Sequence, residues 1–266
     1  MSNARSLTVL GAGGWVGGAV VSELRKRGRH VHAIYRSTLN SWLSESDDPG
    51  GVIYTIGLTA DFRNKPLETI EAHVSLLSRV LQRPRVDTLI YLSSSRVYTR
   101  STNTQETAAL PCLSQDPSDL YNLSKLTGEA LILQDPRPGL KVVRLSNVVG
   151  LGQPKTNFLG CLLDEARSTG QARILQSPKT AKDYIALSDA VRILIALADE
   201  SKERIYNLGT GKNRSHLEIA TWLESHGIFV SFSESKENGI TFPALNVERL
   251  TSEYGELGDP FAQKPF

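Results

Sequence analysis

The 266-residue chain has little sulfur chemistry to offer: two cysteines, Cys112 and Cys161, stand far apart with no C-x-x-C spacing. That pattern supports neither a disulfide framework nor a zinc site, and two reduced thiols in a cytoplasmic protein are the expectation. Charge of one sign is missing too. The 30 Lys and Arg against 28 Asp and Glu leave a formal net charge of +2, too balanced to argue for nucleic acid or an anionic membrane. No long apolar run is present. The longest, Val191 to Ala198, is interrupted by Arg192 and is far too short to span a bilayer. The polar start, Met1 to Ser6, does not read as a signal peptide, and there are no internal repeats. What remains is the composition of a soluble globular protein, 40 % hydrophobic and 22 % charged with 21 Gly and 12 Pro, which excludes a disordered chain, a collagen-like fibre and a coiled coil.

Strand-like and helix-like stretches alternate from the start. Leu7 to Leu10 is a β-type run. Ala19 to Arg27 has helical spacing, with Val16, Val20, Val21 and Leu24 on one face and Gly28 past its end. His30 to Tyr35, Val52 to Ile56, Asp87 to Leu92 and Leu140 to Leu145 read as further strands. Pro66 to Leu81 and Ser118 to Leu133 read as helices, the second capped by Ser118 or Asp119. This alternation predicts an α/β fold with a doubly wound, Rossmann-type parallel sheet covered on both faces. After Gly150 the texture changes. Helices are expected near Phe158 to Thr169, Asp189 to Asp199 and His216 to His226, with short strands near Arg173 to Leu175 and Arg204 to Leu208. The expected division is a dinucleotide-binding domain over 1–150 and a small, partly interleaved substrate lobe over 151–266. Ser231 to Gly239 reads as a surface loop and Gly258 to Phe266 as an extended tail.

Gly11, Gly14 and Gly17 form G-x-x-G-x-x-G between the first strand and the first helix, enclosing Trp15 and Val16. The first glycine permits the tight turn, the second lets backbone approach a pyrophosphate, and the third lets helix and strand pack closely. The helix N-terminus then offers free N–H groups and the positive end of its dipole to phosphates. A glycine-rich turn with no ligand is the plainer reading, but the strand–loop–helix setting favours a dinucleotide. At the end of the second strand, where NAD-binding folds usually carry a carboxylate for the ribose hydroxyls, the chain has Tyr35-Arg36-Ser37. Arg36 can pair with a 2′-phosphate, so NADP is favoured over NAD.

Tyr121 and Lys125 lie four residues apart on an expected helix and so share a face. An ammonium near a phenol lowers the phenol's pKa, and such a phenol can move the proton that accompanies hydride transfer at a carbinol carbon. Ser93-Ser94-Ser95 follows a strand, at the carboxyl edge of the sheet where ligands of open α/β folds bind. In isolation each piece could be an exposed helix pair or a polar strand end. In the order glycine loop, serine strand end and Y-x-x-x-K helix they make one reading.

With these pieces the sequence resembles the extended short-chain dehydrogenase/reductase family, in the branch of nucleotide-sugar epimerases and dehydratases. The resemblance spans about residues 7 to 211. It rests on the glycine loop, Leu92 to Tyr98, Tyr121 to Glu129, Arg144 to Asn147, Lys182 to Ile185 and Tyr206 to Gly211. It implies Ser94 as the catalytic serine, with Ser95 the alternative, and Tyr121 and Lys125 as its partners. Asn147 and Lys182 are implied near the diphosphate of a nucleotide sugar, with Lys182 standing where the family often has an arginine. A cytoplasmic homodimer is likewise implied.

Three departures stand out. The family's dehydratases place an acidic pair after the catalytic residue, and here those positions are Ser95 and Arg96, which leaves epimerisation or ketone reduction. The segment Ser37 to Gly51 is too short for the usual additional strand. His73 takes the place of an asparagine, either as a different contact or simply as a core histidine. The competing reading from another class is a non-catalytic dinucleotide-sensing module.

Overall fold

The computed structural model describes residues 5–58, 61–233, 241–262 and 264. Its main sheet has six parallel strands in the order β2-β1-β3-β4-β5-β9. They are β1 (Leu7–Leu10), β2 (Val31–Ile34), β3 (Gly51–Tyr54), β4 (Thr88–Ser94), β5 (Gly139–Leu145) and β9 (Ile205–Leu208). Residues Leu7–Leu10 and Gly51–Tyr54 are buried without a break, as expected of central parallel strands covered on both faces. One face carries α1 (Trp15–Lys26) and α7 (Leu187–Asp199), whose Val20, Val21, Leu24, Val191 and Ile195 meet Leu7, Val9 and Ile53. The other carries α4 (Leu76–Gln82) and α5 (Asp119–Gln134), with Leu77, Val80 and Ile132 against Val52, Leu89 and Val142. Each such fully buried side chain stabilises by about 1.5–3 kcal/mol.

The short stretch after β2 has a clear topological result. It forms only α2 (Leu39–Ser44), and the chain then crosses directly to β3 on the far side of β1. The additional strand is absent and β2, only partly buried, is the sheet edge. The change of direction puts the topological switch point between the carboxyl ends of β1 and β3, where ligands of such sheets bind.

α1 starts at Trp15, four residues before the expected start, because the glycine loop itself forms the helix entry. The stretch Pro66 to Leu81 is helical but not uniform. α3 (Pro66–Ile70) runs through a π-helical turn (Glu71–Ser75) into α4. Two buried tyrosines occupy carbonyls of that turn: the Tyr54 hydroxyl donates to Ala72 (2.6 Å) and the Tyr91 hydroxyl to His73 (3.2 Å).

Beyond β5 a second group of elements forms. β6 (Asn147–Val149), β8 (Ala181–Ala186) and β10 (Asn213–Ser215) make a small sheet, and β7 (Gln171–Ile174) pairs with β11 (Phe229–Phe232). α6 (Phe158–Thr169) and α8 (His216–Glu224) pack over them through Leu159, Leu162, Ile219 and Leu223. Two expectations need correction. Ser231 belongs to strand β11, not to a loop, since Val230 is drawn into this core; 234–239 lie outside the described residues. Pro260–Ala262 form a 3₁₀ turn within the expected extended tail, where Phe261 packs edge-on to Tyr184 and Trp222; 263, 265 and 266 lie outside the described residues.

Candidate functional site

The glycine loop joins β1 to α1 at the switch point. Gly11 has φ +87°, a conformation open to glycine. A Cβ on Gly17 would stand 2.3 Å from the Gly11 carbonyl oxygen and 2.5 Å from Thr55 Oγ1, so only glycine fits there. Thr55, at the end of β3, donates its hydroxyl to the Leu10 carbonyl (2.7 Å) and clamps the loop from below. Gly14 caps α1 with no side chain, and the first turn has no acidic residue, so the free N–H groups of the helix are open to an anion. The Trp15 indole donates to the Leu151 carbonyl (3.1 Å), tying the segment after β6 to the loop. Val16 turns inward and packs on the core. Beside the loop Tyr35 is 44 % exposed and Arg36 is exposed. A backbone that admits no side chain, an uncapped helix start and an exposed cation at the strand end fit a dinucleotide.

Ser94 ends β4, and its Oγ accepts the Arg96 backbone N–H (3.2 Å) at the start of the 3₁₀ turn Ser95–Tyr98. Tyr121 and Lys125 are buried on the same face of α5. The Tyr121 ring lies between Phe62, at 5.2 Å between centroids, and the edge of His73, at 5.3 Å. Lys125 Nζ donates to the Leu92 carbonyl (2.8 Å) and stands 5.9 Å from the Tyr121 ring. Ser94 hydrogen-bonds the Tyr121 phenol, and Lys125 Nζ lies close to Gly57, just past β3, so the three side chains share one region at the ends of β3 and β4.

The electrostatics correct one expectation. Burial raises the Tyr121 phenol above its ordinary value, while Ser94 and the charge of Arg96 pull it down. Lys125 does not lead this effect, because burial pushes its own pKa down to about 7, with Glu129 opposing.

His73 is both the core histidine and the altered contact. It is fully buried. Its Nε2 accepts the Leu58 N–H (3.2 Å) and its Nδ1 lies 2.8 Å from Ser124 Oγ, which donates to the Tyr121 carbonyl (2.8 Å). Burial first, and then Lys125, hold its pKa down to about 2. The neutral ring thus links the segment after β3 to the helix carrying Tyr121.

Behind the site lies a dry polar network. Glu129 accepts from Ser93 Oγ (2.5 Å) and from Arg144 Nη2 (2.6 Å), and Arg144 Nη1 donates to the Tyr98 hydroxyl (2.6 Å) and the Glu106 carbonyl (3.0 Å). Tyr98 in turn donates to Asn207 Oδ1 (2.9 Å). These contacts fix the strand ends of β4, β5 and β9 relative to one another.

Beyond Tyr121 opens a cavity of about 350 Å³ lined by residues that include Arg63, Arg96, Lys182, Phe158, His216 and Phe242. Lys182 lies over the Phe242 ring at 5.4 Å; burial, and then the charge of Arg96, lower its pKa. Arg100, also at the rim, is taken up by Asp116 and Asp119. Phe158 and His216 stack at 4.1 Å. Asn147 is exposed at the start of β6, its amide donating to the Asp183 carbonyl (2.9 Å). Ser95 is half-buried beside Ser94.

The residues expected from sequence gather at one edge of the sheet. Sequence reasoning missed Thr55, Phe62, Arg63, Phe158 and His216. Their only prior signal is position: Thr55, Phe62 and Arg63 follow a central strand, and Phe158 and His216 each begin a helix of the small lobe.

Comparison with known proteins follows the same outline. A model of the NAD dependent epimerase/dehydratase family matches residues 7–209. Over 117 residues the chain is 38 % identical to dTDP-6-deoxy-L-talose 4-dehydrogenase (NAD(P)(+)) of Kitasatospora kifunensis. That alignment covers 41 % of this chain and 36 % of the relative, so the chain spans about a third of its length. The fold superposes on MoeE5 in complex with UDP-glucose and NAD with a TM-score of 0.77 at 21 % identity, covering 98 % of this chain and 97 % of that one. The same neighbour also has a complex with UDP-glucuronic acid and NAD. RMD from Pseudomonas aeruginosa, complexed with NADPH, superposes with a TM-score of 0.76 at 19 % identity over 98 % of this chain and 96 % of that one. At such identities the likeness is one of fold, whereas the family match runs through the glycine loop, Ser94, Tyr121, Lys125 and Lys182. The chain belongs to the NAD dependent epimerase/dehydratase family.

Proposed function

We propose that this protein is an NADP-using epimerase or reductase that moves a hydride to and from a carbinol carbon of a nucleotide sugar. One observation supports the reading: Ser94 hydrogen-bonds Tyr121, and Lys125 on the same helix face donates to Leu92, all at the carboxyl end of β4 in a sheet whose first strand ends in the glycine loop. A nicotinamide bound there supplies the hydride acceptor and donor. Gly11, Gly14 and Gly17 let the backbone close on a pyrophosphate at the start of α1, flanked by Trp15 and Val16. Arg36 takes the 2′-phosphate, which favours NADP over NAD.

On reduction the Tyr121 phenol, kept protonated by its burial, gives its proton to the carbonyl oxygen as the hydride arrives, and on oxidation the phenolate takes the hydroxyl proton back. Ser94 hydrogen-bonds the same oxygen, and its acceptor bond from the Arg96 N–H directs its own proton away from the backbone. Lys125 would hydrogen-bond the nicotinamide ribose, its Nζ leaving or sharing the Leu92 carbonyl. Lys182 and Asn147 hold the diphosphate and Ser95 the sugar. Arg96, standing where a second acid or base would be needed, favours epimerisation or reduction over removal of water from the sugar. The ligands of the structural neighbours, UDP-glucose and UDP-glucuronic acid, support the substrate class. A homodimer through the helices at 66–82 and 119–134 belongs to the same proposal.

The test is to load the protein with NADP⁺ or NADPH, add UDP- and dTDP-linked hexoses and hexuronates, and read products by NMR. An inverted stereocentre with no net cofactor change identifies an epimerase. Consumption of NADPH with a reduced ketosugar identifies a reductase. Sugars recovered unchanged, with cofactor bound, would favour the sensing module instead.

A further inference from the structure

Arg96 lines the cavity close enough for its charge to act on Tyr121, and the proposed reaction leaves its guanidinium unused. Its backbone is pinned by Ser94. Its guanidinium stands 5.6 Å from the Phe62 ring, which itself lies against Tyr121 and carries Arg63 at 4.5 Å on its surface. Its Nε is buried with no acceptor, and among the described residues the guanidinium makes no ion pair or side-chain hydrogen bond. The nearest acids do not serve it: Asp116 and Asp119 are engaged by Arg100. A buried N–H left without an acceptor is costly unless a ligand supplies one, and the half-buried guanidinium offers its remaining N–H groups to the cavity. It lines the cavity together with Lys182 and Arg63, on the side next to Tyr121.

We infer that Arg96 is a specificity-determining residue that binds a carboxylate carried by the sugar next to the reacting carbon, so the substrate is a nucleotide hexuronate or a similarly acidic sugar. This deepens, and rests on, the nucleotide-sugar reading. The planar fork matches a carboxylate with two parallel N–H bonds. Lys182, opposite, is a point charge suited to a phosphate oxygen, so the two cations divide the ligand between them. A carboxylate at this place also neutralises the charge that presses on Lys182.

The experiment is calorimetric titration of the NADP⁺-loaded protein with UDP-glucuronic acid and UDP-glucose, in wild type, Arg96→Met, Arg96→Lys and Lys182→Met. Wild type is expected to bind UDP-glucuronic acid at least about tenfold more tightly than UDP-glucose, the loss expected of one good charge-assisted contact. Arg96→Met should remove that preference and leave UDP-glucose within about twofold, while NADP⁺ affinity is unchanged. Arg96→Lys should keep part of it, and Lys182→Met should weaken both ligands alike. Equal affinities in wild type, or equal weakening of both ligands by Arg96→Met, would overturn the assignment while leaving the nucleotide-sugar reading intact. Binding of neither ligand to wild type would overturn that reading and this inference together.

Discussion

Arg144 and Arg96 are both drawn out of bulk water near the same strand ends, yet their surroundings are opposite. Arg144 donates to Glu129, to Tyr98 and to the Glu106 carbonyl, and these acceptors, Glu129 above all, raise its pKa against the desolvation that lowers it. Arg96 has no side-chain acceptor; desolvation, and then the neighbouring Arg63, lower its pKa. A buried charge whose hydrogen bonds are complete belongs to the scaffold. One left incomplete at the wall of a cavity is where a ligand is expected to finish the job. The same contrast divides the site as a whole: the Glu129–Arg144 network is buried with its hydrogen bonds made, whereas Arg96 and Lys182 at the cavity wall form no ion pair among the described residues.

Substitutions can break that contrast. The largest effect is expected at Tyr121. Tyr121→Phe should lower turnover by about 10²–10⁴, the usual worth of a positioned proton carrier, with cofactor affinity and melting temperature retained. A phenylalanine that turned over normally would return Tyr121 to the scaffold.

Next comes the arginine pair itself. Arg144→Met leaves Glu129 buried without its cation and should cost about 3–5 kcal/mol in denaturant unfolding. Arg96→Met should leave stability unchanged or raise it by about 1 kcal/mol, since it breaks no pair and removes a donor left without an acceptor. Equal losses would remove the distinction drawn here.

At the other end of the site, Arg36→Ala should weaken NADPH about tenfold, one charge-assisted contact's worth, and leave NADH nearly unchanged. Direct titration by fluorescence checks this.

A further handle is pH. His73 titrates near 6.5 when free and is held down to about 2 in the fold. Between those values the unfolded chain binds the extra proton, so stability is complete above about 6.5 and falls as the pH drops toward 2. Urea unfolding across that range should show the slope, and His73→Asn should flatten it.

Much of this architecture is legible from the residues alone. The alternation of strands and helices, Gly11 to Gly17 between a strand and a helix, and the order of Ser94, Tyr121 and Lys125 are local signals, and the fold keeps them together. The brevity of 37–51 correctly foretells the missing strand that leaves β2 at the sheet edge. What was not legible depends on tertiary partners. The π-helical turn at Glu71–Ser75 is set against hydroxyls of Tyr54 and Tyr91 from two other strands. Strand β8 is hidden because Ala181–Ala186 mixes polar and apolar residues and pairs only with short strands. The acidity of Tyr121 could not be read from its spacing to Lys125, because burial acts on both groups at once.

The most direct measurement of the central claim is rapid mixing of NADP⁺-loaded protein with a nucleotide sugar it binds, following the near-ultraviolet absorbance of reduced nicotinamide. The account predicts a rise in wild type, transient for an epimerase and lasting for a dehydrogenase run in reverse of reduction, and its near-complete loss in Tyr121→Phe. A flat trace in wild type with sugar and cofactor both bound would contradict it.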